Sequence, residues 1–487
     1  MKGLPELRIE LNREALAIPD AAALAAVRVL QRLSQPSLCE LTFRDPQGPL
    51  GRASLPVTGS PLRLRIRGEE VPLFEGEVTA VEHGYGPSQG RTVRLRAYDL
   101  MHRLRSRQTA RAHIQTTARE LCRELVADLG LTVNAALSGP LRRRIVQHRQ
   151  SDLELLREES GAAGLFWTLR GDVVHLLTLE GLGDALPLVL GESLLQARVE
   201  ASAERDAGSV VVSAWDPWRA ELRAGKAGDG GPARHRVDEV AQNDQEAEAL
   251  AQAEIDLRRA RGTTLTGVAE GDPRLRPGSI VDARGLAPAF GRRFVLCAVD
   301  HVLGESTGFV SEISSEPPEP PMRAHASVTS LGVVTRIDDP EGLGRVSVSL
   351  PTYADVETDW LEVVVPGAGR DKGLVALPDV GDRVLLLLTR GDPAQAVVLG
   401  GLFGREGLPP ETGVEGGARK RYTLRTPGGR TVRMDDARGS IRLEDGHGNV
   451  VELARDQVLL HAEADVLIEA PGRSLVMRAN RIDFERR

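Results

Sequence analysis

The chain has 487 residues and a formal net charge of −7, so its overall charge gives no general attraction to nucleic acid or to anionic membranes. Only 3% of the residues are aromatic, whereas 51 are glycine and 29 are proline, a composition typical of many short strands joined by turns. Cys39, Cys122 and Cys297 are odd in number and widely spaced, which argues against a disulfide framework and against a zinc site.

The sequence has no segment that predicts export or membrane insertion. The first residues, MKGLPELRIELNREALAIPD, contain no apolar signal core, and no stretch approaches the roughly 20 apolar residues of a membrane helix. We therefore expect the protein to be assembled in the cytoplasm without a signal peptide.

Two segments predict the domain boundaries. Ser314–Ser327 is rich in proline, and Gly404–Lys420 is rich in glycine and proline, so both are typical of linkers. The predicted organisation is a first domain at 1–315, a linker at 316–327, a second domain at 328–404, a linker at 405–420 and a C-terminal domain at 421–487.

The first domain is predicted to be mainly strands, with three helices marked by their N-terminal capping residues. Stretches such as LRLRIRG and TVRLRAYDLM alternate between apolar and polar residues, as strands of antiparallel sheets or barrels do. The helices are predicted to start at the pairs Thr117 and Glu120, Ser151 and Glu154, and Asn243 and Glu246, the last helix ending at Gly262.

The second domain is predicted to be a small barrel of the OB type. Turns at Asp339–Pro340, Gly367–Gly369, Asp379–Asp382 and Gly391–Pro393 separate five strand runs. Oligonucleotide binding by such a barrel relies on aromatic side chains and a basic groove. Because its only aromatics are Tyr353, Trp360 and Phe403 and acids are mixed with the bases, we do not expect nucleic acid as a partner.

The last thirty residues, Val458–Arg487, repeat every eight residues. One row of the repeat contains Val458, Val466 and Ile482, with Ser474 as the exception, and the other contains Leu460, Ile468, Val476 and Phe484. A single-chain β-helix would need about twenty residues per turn, so thirty residues would give too few turns to bury a core. Three chains that each supply one eight-residue face per turn would give nearly four turns.

This repeat therefore predicts an intertwined homotrimer in the form of a triangular β-prism. The predicted trimer core consists of Val458, Leu460, Val466, Ile468, Val476, Ile482 and Phe484. The alternative is an amphipathic tail that packs on its own domain.

Several motifs resemble the spike proteins of contractile injection machines. In the second domain, Gly344-Arg345-Val346, Trp360-Leu361, Leu377–Asp382, Gly391-Asp392-Pro393 and Val398-Leu399-Gly400 are similar to the OB domain of VgrG and phage spike proteins. In the first domain, SDLELLREESGAAGLFWTLRGDVVHLL and EGDPRLRPGSIVD are similar to segments of the hub or late-control family. The C-terminal domain resembles the trimeric β-needle of these proteins.

The resemblance implies a mainly β protein with some α structure, built as a two-barrel hub, an OB-fold barrel and a C-terminal needle. It implies a structural spike that links baseplate and tube to the tip and punctures the target envelope. The implied partners are two further copies of the chain, an Hcp-like tube protein with baseplate components, a PAAR-type tip protein and effector cargo, while the target membrane is met only on firing. The predicted tip-binding residues are Ile482, Phe484 and Arg487.

Some features depart from particular members of that group. The segment 405–420 leaves no room for the lysozyme domain of T-even phage spikes, and the sequence ends at Arg487 without a long needle or an effector extension. The OB motifs are closer to the compact spikes of extracellular contractile particles and phage-like systems. Type VI, extracellular-particle and phage machines all remain open.

No catalytic, cofactor-binding or metal-binding residues are predicted. Gly86–Gly90 matches G-x-S-x-G but lies between two strands instead of at a strand-to-helix turn, and Asp445–Asn449 has the composition of a hairpin turn. The alternatives to a mechanical spike are a trimeric fibre or adhesin, which would not explain the first two domains, and a spike-borne hydrolase, which would need an insert.

Overall fold

The computed structural model describes residues 5–52, 57–86, 90–202, 208–216, 221–241, 243–290, 293–305, 307–319, 326–404, 407–409 and 414–485. The chain forms two compact units, Met1–Gly401 and Leu402–Arg487. The predicted linkers at 316–327 and 405–420 lie partly outside the described residues.

The first unit begins with many short strands. They are β1 (Leu7–Leu11), β2 (Glu14–Ala15), β3 (Leu24–Arg32), β4 (Leu38–Arg44), β5 (Pro61–Ile66), β6 (Phe74–Gly86), β7 (Gly90–Tyr98), β8 (Arg111–Thr116), β9 (Thr132–Ala135), β10 (Arg142–Gln147) and β11 (Phe166–Arg170). Next come β12 (Val173–Leu177), β13 (Leu182–Val189), β14 (Leu194–Ala201), β15 (Ser209–Asp216), β16 (Glu221–Gly228), β17 (Ala233–Val240), β18 (Thr263–Glu270), β19 (Ser279–Arg284), β20 (Arg293–Val295), β21 (Ala298–Gly304) and β22 (Gly308–Ser314).

One antiparallel sheet of eleven strands organises this part, in the order β14-β18-β22-β21-β3-β4-β7-β6-β5-β1-β2. Its alternating strands place apolar side chains inside; in β7, Val93, Leu95 and Ala97 are fully buried, and Arg94 and Arg96 between them are exposed. The sheet contributes to two separate apolar cores, one around Leu41 and Leu95 and the other around Leu265 and Val281.

The α-helices of the described residues are α1 (Ile18–Ala21), α2 (Ala118–Val126), α3 (Asp152–Ala162) and α4 (Asp244–Gly262), and none of them is long and apolar enough to cross a membrane. The three predicted helices are confirmed, and Thr117 and Ser151 form complete capping boxes with Glu120 and Glu154. Asn243 accepts a hydrogen bond from the Glu246 amide at 2.8 Å. The sequence analysis missed the short helix α1.

Short 3₁₀ helices connect several of these elements. They span Leu100–Arg105, Ala127–Leu129, Pro288–Phe290, Pro351–Tyr353, Thr389–Gly391 and Pro393–Gln395.

A five-stranded barrel ends the first unit. Its strands are β23 (Val328–Arg336), β24 (Ser347–Leu350), β25 (Val356–Glu357), β26 (Arg383–Leu388) and β27 (Ala396–Gly401), in the order β25-β24-β23-β26-β27. A parallel bridge between Val363 and Val398 connects the segment after β25 to β27, which closes the barrel around Val334, Val348 and Leu386. The predicted OB-type barrel is confirmed.

The predicted turns imply a strand between Gly369 and Asp379, and this detail is wrong. Residues 370–378 have no strand, and the Val375 side chain is 78% exposed. The apolar run LVAL favours a strand by composition, but Gly367 and Gly373 adopt positive φ and turn the backbone into an exposed loop. The short strand β25 takes the fifth place in the sheet instead.

A buried ion pair holds the turn between β23 and β24. The Arg345 guanidinium donates to the Asp339 carboxylate at 2.7 and 3.0 Å, and both side chains are only 2% exposed. The same carboxylate accepts hydrogen bonds from the backbone amides of Glu341, Leu343 and Arg345. Hydrogen bonding by Arg345, followed by these amides, outweighs burial and holds the pKa of Asp339 well below its usual range.

The second unit is described by itself and consists of short antiparallel strands. They are β28 (Val414–Glu415), β29 (Ala418–Arg419), β30 (Arg421–Arg425), β31 (Thr431–Asp435), β32 (Ser440–Glu444), β33 (Val450–Leu453) and β34 (Val458–His461). Strands β30 to β34 form one sheet in chain order, and the described residues 462–485 contain no strand. The predicted fold class, mainly β with some α structure, is confirmed for the chain.

Candidate assembly surface of the C-terminal sheet

The register of the C-terminal sheet aligns its apolar side chains in two rows on one face. Residues that are directly opposite in neighbouring antiparallel strands, and residues two apart within a strand, share a face of the sheet. The first row is Tyr422, Met434, Ile441, Leu453 and Val458, and the second is Leu424, Val432, Leu443, Val451 and Leu460. We call these ten residues the apolar face.

The apolar face is open to solvent in the single chain. Tyr422 is 69% exposed at one edge, Leu443 is 46% exposed on the central strand, and Val458 is 74% exposed at the other edge. A sheet normally covers one face with a core, and a contiguous apolar surface of this kind marks an interaction site. This face is the candidate functional site of the unit.

The opposite face is mostly polar and paired within the sheet. Arg421 contacts Asp435 at 2.8 Å, and Arg442 contacts Glu444 at 3.2 Å and Glu452 at 3.3 Å. Val450, which is buried, and Leu459 are the apolar exceptions. Charged groups therefore satisfy one another on this face, and Thr431, Asp435 and Ser440 are already buried there.

The hairpin turn between β32 and β33 fixes the register of the central strands. Asp445 accepts hydrogen bonds from the backbone amides of His447 at 2.7 Å and Asn449 at 3.1 Å, and its other oxygen accepts from the Asn449 side chain at 2.5 Å. These bonds, the Asn449 side chain first, lower the pKa of Asp445. The Asp445 carboxylate therefore stabilises the turn, as predicted. Among the described residues, no group of His, Cys, Asp and Glu side chains could hold a metal ion.

The predicted trimer-core residues divide between the sheet and the segment after it. Val458 and Leu460 belong to the apolar face, one in each row. Val466, Ile468, Val476, Ile482 and Phe484 follow at the same spacing in the part of the chain without strands, and all five are exposed, Phe484 to 88%. The third predicted tip-binding residue, Arg487, lies outside the described residues.

Sequence reasoning missed the eight apolar-face residues that precede Val458. Each strand carries a pair of them at i and i+2, in YTL, VRM, IRL and VEL, so alternation could have found each pair but not the alignment of the pairs across the sheet. It also missed Leu459, Leu467 and Leu475, which occupy the position between the two predicted rows and are exposed.

The G-x-S-x-G match connects two strands. Its central residues 87–89 lie outside the described part of the chain, while Gly86 and Gly90 are paired at the ends of β6 and β7. A serine nucleophile of this motif normally sits between a strand and a helix. The match therefore lies in the strand-to-strand position that the sequence analysis expected.

Two family models match the chain. The model described as phage tail baseplate hub (GPD) matches residues 31–307, and the model described as type VI secretion system/phage-baseplate injector OB domain matches residues 330–403. The second match falls on the closed barrel of β23 to β27, and the first on the large sheet and its helices.

The chain is also similar to individual proteins. It is 25% identical over 250 residues to the actin cross-linking toxin VgrG1 of Vibrio cholerae, which covers 46% of this chain but only 22% of that relative. Its fold resembles a type VI secretion system component of E. coli at a TM-score of 0.55 and 14% identity, covering 82% of this chain and all of that one. The Francisella PdpA–VgrG complex matches at a TM-score of 0.56 and 9% identity, covering 95% and 81%.

The hub match alone covers more than half of the residues, from the first core of the large sheet to the second. The OB-domain match follows it in the order that the sequence resemblance predicted. The chain therefore belongs to the phage tail baseplate hub family.

Proposed function

We propose that this protein is the homotrimeric spike of a contractile injection machine, which connects the tube and baseplate to a tip and is driven through the target envelope. The observation that carries the proposal is the exposed apolar face of β30 to β34, which needs partner chains to cover it. Membership of the baseplate hub family and the OB-domain match support the same role for the first unit.

The apolar face is large enough to hold chains together. Full burial of one large apolar side chain contributes about 1.5–3 kcal/mol, so ten side chains that are roughly half exposed offer on the order of 10 kcal/mol per chain. This is comparable with the roughly 4–15 kcal/mol of lost translational and rotational freedom that association costs. Because each chain presents the same face, further copies of the chain are its natural partners.

The eight-residue repeat supports three copies in preference to two. Val458 and Leu460 start the two rows of the repeat and also end the two rows of the sheet, so the repeat begins on the last strand of the apolar face. A face-to-face pair of sheets could cover β30 to β34 alone. It would leave the backbone of residues 462–485 without strand partners, whereas a three-sided prism would pair it between chains.

Mass measurement by light scattering tests the trimer. The full chain has a mass of 52.5 kDa, so we expect a single species of about 158 kDa over a wide range of protein concentrations. A stable monomer, or a dimer of about 105 kDa, would exclude the proposed assembly.

We further propose that Ile482 and Phe484 hold a PAAR-type tip protein. The Phe484 side chain is among the most exposed apolar groups of the described chain, and Ile482 lies two residues before it, in the other row of the repeat. Replacing both with serine should abolish retention of the tip protein in a pull-down and leave the trimer intact, since the earlier repeats still hold it.

An Hcp-like tube protein provides the matched control for this experiment. The proposed tube-binding region is the hub at 1–315, so the double variant should retain the tube protein as the wild type does. Equal retention of the tip protein by the variant and the wild type would place the tip site elsewhere.

A further inference from the structure

The hub and the OB barrel meet through charged groups. The first unit contains both, and the apolar core of the OB barrel forms a cluster of its own, separate from the cores of the hub. Across the junction, Arg143 contacts Asp359 at 3.0 Å, and Arg390 contacts Glu239 at 2.9 Å. The rings of His148 and Tyr353 lie 5.5 Å apart beside these pairs.

Three consecutive arginines on β10 supply the hub side of this junction. Arg143 pairs with Asp359, and Arg144 donates to the backbone carbonyl of Glu357, so two neighbouring arginines hold two positions of the OB barrel that are two residues apart. Arg142 pairs instead with Glu246 on α4, inside the hub. Burial alone would lower the pKa of Arg142, but Glu159, Glu246 and the OB residue Asp392 outweigh it and raise that pKa.

A second contact also joins the hub to the OB barrel. The Glu239 carboxylate on β17 forms an ion pair with Arg390 of the OB barrel. It forms a second one, at 2.7 Å, with Arg236 of its own strand. Burial would raise the pKa of Glu239, but the two arginines more than offset it and lower that pKa. Glu239 and Arg390 are 10% and 14% exposed, so this pair is shielded from solvent more than most surface pairs.

We propose that the arginine strand β10 and the Glu239–Arg390 pair form a polar latch that holds the OB barrel against the hub and releases it when its charges are removed or screened. An apolar interface would strengthen or stay constant at high salt, whereas partly exposed ion pairs weaken.

A charge-swap cycle in the full-length protein tests the latch. Arg143→Glu and Asp359→Arg should each speed hydrogen exchange of the amides at 142–147 and 356–361 about threefold or more, and the double swap should restore the wild-type rates. In the wild type, 1 M NaCl should also speed exchange at these segments. The amides of β26, in the OB core, should keep their protection throughout.

Arg123→Glu, at an exposed arginine of α2, is the matched control for Arg143→Glu, because it makes the same charge reversal away from the junction. Loss of protection in β26 would show that a swap variant does not fold. In that case Glu239→Gln and Arg390→Gln test the second contact with substitutions that alter the side chains less. Wild-type exchange in the folded single variants, or a double swap as fast as the singles, would overturn the latch.

Discussion

Replacing Leu443 with aspartate should dissociate the trimer while leaving the first unit folded. Leu443 lies on the central strand β32, in the middle of the second apolar row. Three copies of the variant would bring three carboxylates into an apolar interior. Burial of a neutral polar group without a hydrogen bond costs on the order of 2–7 kcal/mol, and burial of an unpaired charge costs more. Light scattering should then report a mass near that of the 52.5 kDa chain.

Gln457→Asp is the matched control for this variant. Gln457 lies exposed in the turn between β33 and β34 of the same sheet, so an added carboxylate there stays in water. The control should keep the mass and the unfolding temperature of the wild-type trimer. A trimeric Leu443→Asp protein, or equal dissociation of both variants, would mean that the apolar face does not hold the assembly.

Local rules predicted the helices well. Each of the three helices starts at a residue whose side chain accepts an amide hydrogen bond two or three residues later, and that geometry depends only on nearby sequence. The helix α1, with four residues, carries too short a pattern to be detected. The strand runs of the OB barrel were found because glycine and proline turns separate them, although LVAL at 374–377 was wrongly included.

The apolar face could not be found by its period. The repeat after Val458 has a constant length, whereas the loops that join β30 to β34 differ in length, so their apolar pairs recur at irregular intervals along the sequence. Only the hydrogen-bond register aligns Tyr422 with Val458 across five strands. Likewise, nothing near Arg143 in the sequence indicates that its partner is Asp359, more than 200 positions away.

The motif around Arg345 shows the opposite case, in which a resemblance has a clear physical basis. Gly344-Arg345-Val346 was recognised as part of an OB-domain pattern, and the structure explains why the arginine is needed there. Asp339 and Arg345 are six positions apart, and their pair closes the turn between β23 and β24 with the help of three backbone amides. Gly342 and Gly344 adopt positive φ in this turn, which lets the backbone amides face the carboxylate.

Replacing Asp339 with asparagine should destabilise the OB barrel strongly. Breaking a buried ion pair by removing one partner costs about 3–5 kcal/mol, and the 3.4 Å contact between Arg345 and Glu341 should offset only part of that cost. The measurement is hydrogen exchange in the full-length protein, where the slowest amides of β24 and β26 report the free energy of opening of the barrel. Asp338→Asn is the matched control. The Asp338 carboxylate is exposed, so its loss should change the exchange rates little.

The same pair predicts the pH dependence of the barrel. The folded state holds the pKa of Asp339 below the value of about 3.9 that an aspartate has in an unfolded chain. The ion pair therefore contributes stability that is fully present above about pH 3.9 and is lost as the pH falls towards the pKa of the folded state. The wild-type barrel should therefore lose protection below about pH 4, whereas Asp339→Asn should show a flatter profile there because it has no proton to take up at this site. A wild-type profile that parallels that of the variant between pH 4 and pH 2 would show that the carboxylate is not held ionised by Arg345.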